Sequence, residues 1–472
     1  MKKLKRALAL TLSLVTAMGV AACGSSGSSS SNNDESFEAT DNIEVTENKQ
    51  IEDIPDGADK EILYLGENDL NPTKANPEIS TEMKMFQQHG GSIKWTRCTN
   101  EGRFDALAKA IAANSDVPDI FNYEWLSFPA QVVNKMFQPI DEIVDFEAPM
   151  WKSSKTTADQ FVLNGKHYVA PLAYDPSAFI TYDKKVVEEM GMEDPYDLYK
   201  KGEWNWTNFK SIMDEYVSGA SADEERYGIN GFFKPHITQQ TGKTLVSFDP
   251  ATSTFASNLT DPDIEAAQQF LYDIKKEGLV LDGWIGSATE CFQKNCFFYG
   301  MGAWAVKPAD GDEWGIVPMP QYDKNPQKIT TSDMKAFMWV KGSTRKEAVK
   351  CWFECYKSAR NDPEYQQTNK DKFFENNPNW TEEMYGVFQD VISDDYFMIF
   401  DYAFGVSFKL GDRKQFDGNQ CLTDALYGSS SSEDDEGVQM TWTQVRETYS
   451  ATVDSEVNNL NKEIEKFIAE GN

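Results

Sequence analysis

Three histidines, His89, His167 and His236, stand far apart in the chain, and neither a GxSxG nor an HExxH pattern occurs. The nucleophile–base pairs and zinc-ligand spacings of the commoner hydrolases are therefore missing. Carboxylates are plentiful, with 76 Asp and Glu. A pair at glycosidase spacing stays open by counting, but no motif marks one. Of the seven cysteines, Cys98, Cys291, Cys296, Cys351, Cys355 and Cys421 form no CxxC pair. They are expected as buried thiols, with a disulfide as the open alternative. What the chain does hold in quantity is flat aromatic surface, 13% of residues including 12 tryptophans. Such rings pack cores, or cover the apolar face of a bound ring.

Elements that could position these groups follow from hydrophobic period. Residues 61–65, 90–96 and 117–121 read as strands and 104–113 as a helix, a β-α-β rhythm that predicts a mostly parallel sheet flanked by helices. In such sheets ligand loops sit at the carboxyl ends of strands. That placement singles out Asn68 and Asp69 after the first strand, as hydroxyl acceptors or as caps of the next helix. It also singles out Tyr123 and Trp125 after the third, against a competing reading as core. Within residues 161–191, Asn164-Gly165 is a turn and residues 168–170 a short strand. Pro171 should exclude continued central pairing, strand 178–182 leads into helix 184–190, and Gly191 stops it. Further on, Thr207 is the expected N-cap of a helix reaching Tyr216, and Trp204 and Trp206 beside it read as packing residues. A strand at 227–231, a helix at 265–276 behind Asp261-Pro262, a strand at 336–340 and a helix at 345–358 follow, and the remainder is helical by composition.

The amino terminus has a basic start at Lys2-Lys3-Leu4-Lys5-Arg6, an apolar stretch over residues 7–20, then Val20-Ala21-Ala22-Cys23. The apolar stretch falls short of the roughly 20 residues a spanning helix needs. Residues 24–33, GSSGSSSSNN, and the acidic stretch to Asp59 read as an unfolded tether. The formal charge of −31 argues against nucleic acid and against direct adhesion to anionic lipid.

Several phrases together resemble family 1 of the bacterial extracellular solute-binding proteins of ABC importers. Gly165, Tyr168 and Pro171 followed by Tyr182-Asp183-Lys184 match its first passage between lobes. Val117-Pro118-Asp119-Ile120 with Gln138-Pro139-Ile140-Asp141 after it, Trp206-Thr207, the segment 292–304 ending Gly302-Ala303-Trp304, and residues 314–320, WGIVPMP, match others. Asn295 replaces a glycine of the segment before Trp304, and likeness fades after about residue 360.

The resemblance implies an α/β fold of two lobes joined by a hinge, the type II periplasmic-binding architecture. Its expected divisions are a lipoprotein signal peptide at 1–22, a tether at 23–59, one lobe from 60–173 and about 337–380, and a second from 174–336 and about 381–472. Val20-Ala21-Ala22-Cys23 resembles the bacterial lipobox, which implies a diacylglyceryl anchor on Cys23 at the outer face of the cell membrane, ordinary secretion with cleavage near Ala22 being the competing reading. The family resemblance also implies ABC permease subunits as partners, a monomer, no cofactor, no metal and no catalysis. The ligand would be a carbohydrate, favoured as an oligosaccharide, gripped by aromatic faces and pre-placed acceptors. A peptide or polyol in the same fold, or a surface glycosidase or adhesin, are the alternatives. Contacts are expected from Asn68, Asp69, Tyr123 and Trp125, from Tyr174 and Asp175 at the first crossing, and from Trp304. Trp284 and Trp380 are looser candidates.

Overall fold

Strands form where the sequence runs apolar and β-branched or aromatic. β1 (Glu61–Gly66) is buried at every position after Glu61, as a strand covered on both faces must be. In the computed structural model, described over residues 39–41, 44–45, 50–174, 178–331, 334–411, 419–428 and 440–471, it is joined by β2 (Ser92–Arg97) and β3 (Ile120–Asn122), both parallel to it. Cys23, most of the expected tether, Asp175 and the acidic loop 429–436 lie outside the described residues. Asn164 and Gly165, at φ 51° and 70°, turn the small hairpin of β4 (Val162–Leu163) and β5 (Lys166–His167). Two positive φ values are what an Asn-Gly type I′ turn requires.

The chain then runs through β6 (Ala170–Tyr174), β7 (Phe179–Asp183) and β8 (Tyr227–Gly231). The hairpin β9 (Val246–Asp249) and β10 (Thr254–Ser257) precedes β11 (Cys296–Met301) and β12 (Trp314–Pro318). β13 (Ile329–Thr331), β14 (Met334–Trp339) and β15 (Phe397–Ile399) complete the strands used below. One sheet has the order β2-β1-β3-β14-β6 and a second the order β12-β7-β11-β8. β6 lies in the first and β7 in the second, so the chain crosses between sheets just after Tyr174. The strands that cross or return pair antiparallel, β14 with β3 and β6, and β7 with β11 and β12.

Pro171 does not end its strand, as the sequence suggested. It sits inside β6, opposite Ala336, where the register shifts. β6 is the sheet's edge, and an edge position beside an irregularity is where a strand tolerates the missing N–H. The helix Trp206–Ser218 is capped by Asn205, whose side chain accepts from Asn208 N at 3.0 Å, rather than by Thr207. The helix Lys184–Met190 starts at Asp183 and stops at Gly191 with φ 66°, as read.

Helices Thr81–Gln88 and Lys346–Asn361 cover one face of the first sheet, and Phe86, Trp352, Phe337 and Tyr64 interlock there. The six cysteines are buried free thiols, with Cys351 and Cys355 Sγ 3.9 Å apart. Among the described residues no helix is long and apolar enough to cross a membrane.

Candidate ligand-binding site

Registers decide which strand ends face which. In the first sheet Asn122 ends β3 beside the start of β14, and Met334 of β14 pairs Tyr174 at the end of β6. Gly66 and Arg97 end the parallel strands β1 and β2 at the same edge. In the second sheet Phe179 pairs Met301 and Pro318, and Gly300 pairs Gly231. The passage from Tyr174 to Phe179 joins these two edges, so the loops after β1 and β3 confront those after β8 and β11.

The confrontation is aromatic. Trp125, after β3, stacks on Phe232, after β8, with centroids 5.9 Å apart and planes 17° from parallel. Phe404 meets the Trp125 ring edge-on at 4.9 Å. Tyr123 packs against Phe161 at 5.0 Å and Phe400 at 6.3 Å. Backbone bonds hold this loop in place. Tyr123 N donates to Ala336 O at 2.9 Å, and Ser127 N donates to Glu124 O at 2.8 Å. The Glu124 carboxylate accepts from the buried Arg103 guanidinium at 2.8 Å. A glycine at 405 lets the 403–406 turn close beneath, since a Cβ there would lie 1.7 Å from Phe128 O. On the other side Gly231, at φ 106°, passes so near Gly300 O that a Cβ would sit 2.2 Å from it. That close passage sets the direction in which Phe232 leaves the sheet.

Behind the stack stands the short helix Lys234–Gln239. His236 is 2% exposed, its ring edge-on to Phe232 at 5.5 Å. Neither of its nitrogens makes a well-formed hydrogen bond, nor does Gln239 Oε1, although the Gln239 amide is near enough to act on the ring. Burial holds the imidazole neutral, its pKa brought down to about 3. Leaving such atoms unpaired costs about 1–3 kcal/mol each. Asp401 completes the wall, accepting from Ala403 N at 3.0 Å and Leu245 N at 3.1 Å. Burial raises its pKa to about 6 in spite of those bonds. The enclosed space is about 20 Å3, enough for one water.

The comparisons with known proteins agree with this geometry. Residues 83–368, more than half of the chain, match the model of the bacterial extracellular solute-binding proteins. The chain belongs to that family. None of the curated proteins matches it in sequence. Solved structures match in fold. An ABC substrate-binding protein from Listeria monocytogenes in complex with cycloalternan superposes with a TM-score of 0.53 at 16% identity, over 83% of this chain and 99% of that one. The sugar-binding protein MalE of Xanthomonas citri gives 0.55 at 14% identity, over 87% and 98%. A binding protein from B. animalis subsp. lactis in complex with beta-1,6-galactobiose gives 0.52 at 18%, over 85% and 98%. At these identities the likeness establishes the two-lobed, maltose-binding-protein-like fold. This is a bacterial extracellular solute-binding protein.

Of the contact residues expected in this solute-binding protein, Tyr123 and Trp125 come together in the aromatic pocket. Asn68 is exposed at the end of β1. Asp69 is taken up by a local turn, accepting from Asn71 N at 2.9 Å and Asn71 Nδ2 at 2.8 Å. Trp304 follows β11 and is 49% exposed, folded over Gly302. Tyr174 packs against the same core cluster as Tyr123, and its hydroxyl meets Thr157 Oγ1 at 2.9 Å. It lines a second, larger cavity of about 660 Å3 with Lys152, Lys328, Asp394 and Asp395. That cavity shares no residue with the aromatic pocket. Asp175 lies outside the described residues.

Trp204, Trp206 and Trp380 are buried, and Trp204 and Trp380 donate to backbone carbonyls. Trp284 is 39% exposed beside Asn230. Phe232, His236, Gln239, Phe400, Asp401 and Phe404 were not anticipated. Phe232 directly follows a strand that the sequence did reveal, and the strand-end rule would have found it.

Proposed function

We propose that this protein is the lipid-anchored receptor of an ABC importer for a carbohydrate, held between the lobes and handed to permease subunits. The observation that carries the reading is the meeting of Trp125 and Phe232, one from each sheet's strand-end loops. Flat apolar faces on both sides, with polar atoms at the margin, suit a pyranose, whose C–H faces stack and whose hydroxyls need partners. No Lys or Arg is among the described residues lining that pocket, so a phosphorylated solute would lack its usual partner. Asp401 is the single carboxylate among them, whereas glycoside hydrolysis uses two. Carbohydrate complexes among proteins of the same fold support the choice of solute. Under this reading Tyr123, Trp125 and the exposed Trp304 supply aromatic faces. Asn68 and Asp175 supply acceptors, and Asp69 and Tyr174 shape the loops beside them. Hinge rotation would close the lobes on the ligand.

Calorimetric titration over a panel of neutral oligosaccharides, with chromatography of the mixtures afterwards, tests the reading. Stoichiometric binding of at least one sugar with no product is expected, and turnover would defeat the receptor assignment. For the anchor, Cys23→Ala in the full-length protein is expected to release it from the cell membrane into the medium. Unchanged retention in the membrane fraction would refute lipidation at Cys23.

A further inference from the structure

We infer that the Trp125–Phe232 stack is the closed position of a slot for one hydroxyl-bearing ring, and that His236 and Gln239 at its base select that ring by hydrogen bonding and disfavour an acidic one. The inference rests on the carbohydrate reading and narrows it.

The two rings face each other at 5.9 Å and 17°. A ring held between two aromatic planes needs about 7–8 Å, twice a carbon–carbon contact. The centroid separation is the upper limit of the gap between the planes, so the slot has to widen by at least about 1 Å to admit a sugar. Trp125 follows β3 of the first sheet and Phe232 follows β8 of the second, so the widening is a movement of one lobe against the other. In the closed position the rings cover each other and keep water off an apolar surface.

At the base, both His236 nitrogens and Gln239 Oε1 are buried without a well-formed hydrogen bond, beside a space for one water. A neutral imidazole offers one donor and one acceptor, which is the complement of a hydroxyl. A ligand hydroxyl in the place of that water would give well-formed hydrogen bonds to atoms that make none within the protein. A carboxylate or phosphate there would meet an uncharged imidazole and the buried Asp401 carboxylate, with no cation among the described residues of the wall.

The test is calorimetric titration of the wild-type protein and the variants His236→Phe, Gln239→Leu and Phe232→Ala. The probes are maltotetraose, beta-1,6-galactobiose, cellotetraose and a galacturonic acid oligosaccharide. Wild type is expected to bind a neutral probe and not the uronate. His236→Phe keeps a flat ring and removes two unpaired atoms, so its melting temperature should not fall while affinity drops at least tenfold. Phe232→Ala should lose at least as much. Should His236→Phe fail to fold, Gln239→Leu gives the second reading, with a loss of at least fivefold expected. A neutral probe bound equally by wild type, His236→Phe and Gln239→Leu would overturn this inference and leave the receptor reading standing. Preference for the uronate would also overturn it. If no probe binds wild type, both fall together.

Discussion

Asp119 illustrates how a recognisable residue can serve structure. It stands in the Val117-Pro118-Asp119-Ile120 phrase, just before β3 and the loop of Tyr123 and Trp125, yet it is 0% exposed. Its carboxylate accepts from Leu63 N at 2.7 Å, Ser343 Oγ at 2.6 Å and Arg345 Nη1 at 3.3 Å. It ties β1, β3 and the turn after β14 together, and so fixes the base from which Tyr123 and Trp125 project. Asp119→Ala leaves a buried N–H and a guanidinium without their acceptor, and should cost about 3 kcal/mol of stability. Urea denaturation measures it, and a loss under about 1 kcal/mol would contradict the role. The place of Tyr123 and Trp125 in the aromatic pocket was legible because both follow a strand the sequence reveals. His236 and Gln239 were not, since nothing in the linear order shows that the helix after β8 turns its polar groups inward. Asp69 reads either way, because one carboxylate serves equally well for a ligand or for its own turn, and here it accepts from Asn71 two residues on.

At the scale of elements, the helix Lys346–Asn361 carries an ammonium into the core of the first sheet. Lys357 is 2% exposed, and its ammonium meets the Ser154 hydroxyl and lies 6.0 Å from the centre of the Trp151 ring. Burial lowers its pKa to about 8, against a small opposing pull from Asp394. Because the folded pKa lies below the unfolded one, the unfolded chain binds more protons between about 8 and 10.4. Stability should therefore rise with pH across that window and be lowest below it. The gap corresponds to about 3 kcal/mol. Lys357→Met should raise stability at pH 7 by about 1–3 kcal/mol and flatten the pH profile above 8. Chemical denaturation at pH 7, 8, 9 and 10 would show it, and a variant less stable at pH 7 would contradict the account. Element limits were legible wherever a cap was local, as at Asp183, Gly191 and Asp261. β15 was not. It is three residues in a helical setting, and its partner β13 lies far back in the chain. Pro171 was misread for a related reason, because a proline's tolerance depends on whether the strand is an edge, which only the assembled sheet decides.

For the whole molecule, the family phrases and the β-α-β rhythm were enough to give two sheets and a passage between them. How the carboxyl-terminal third returns was hidden, because its contacts are long-range. Phe400 packs on Phe161, and Tyr402 donates to Gln160 O at 2.8 Å. These contacts bring Phe400, Asp401 and Phe404 to the pocket that the first lobe's loops open. The receptor account thus depends on parts from three distant stretches converging between the lobes. It is tested most directly by a crystal structure of the protein with the tightest-binding oligosaccharide of the panel. The account predicts an intact sugar between the strand-end loops of the two sheets, with one ring between Trp125 and Phe232 and those rings moved apart. A sugar in the Tyr174 cavity instead, cleaved sugar, or a Trp125–Phe232 stack left closed would contradict it.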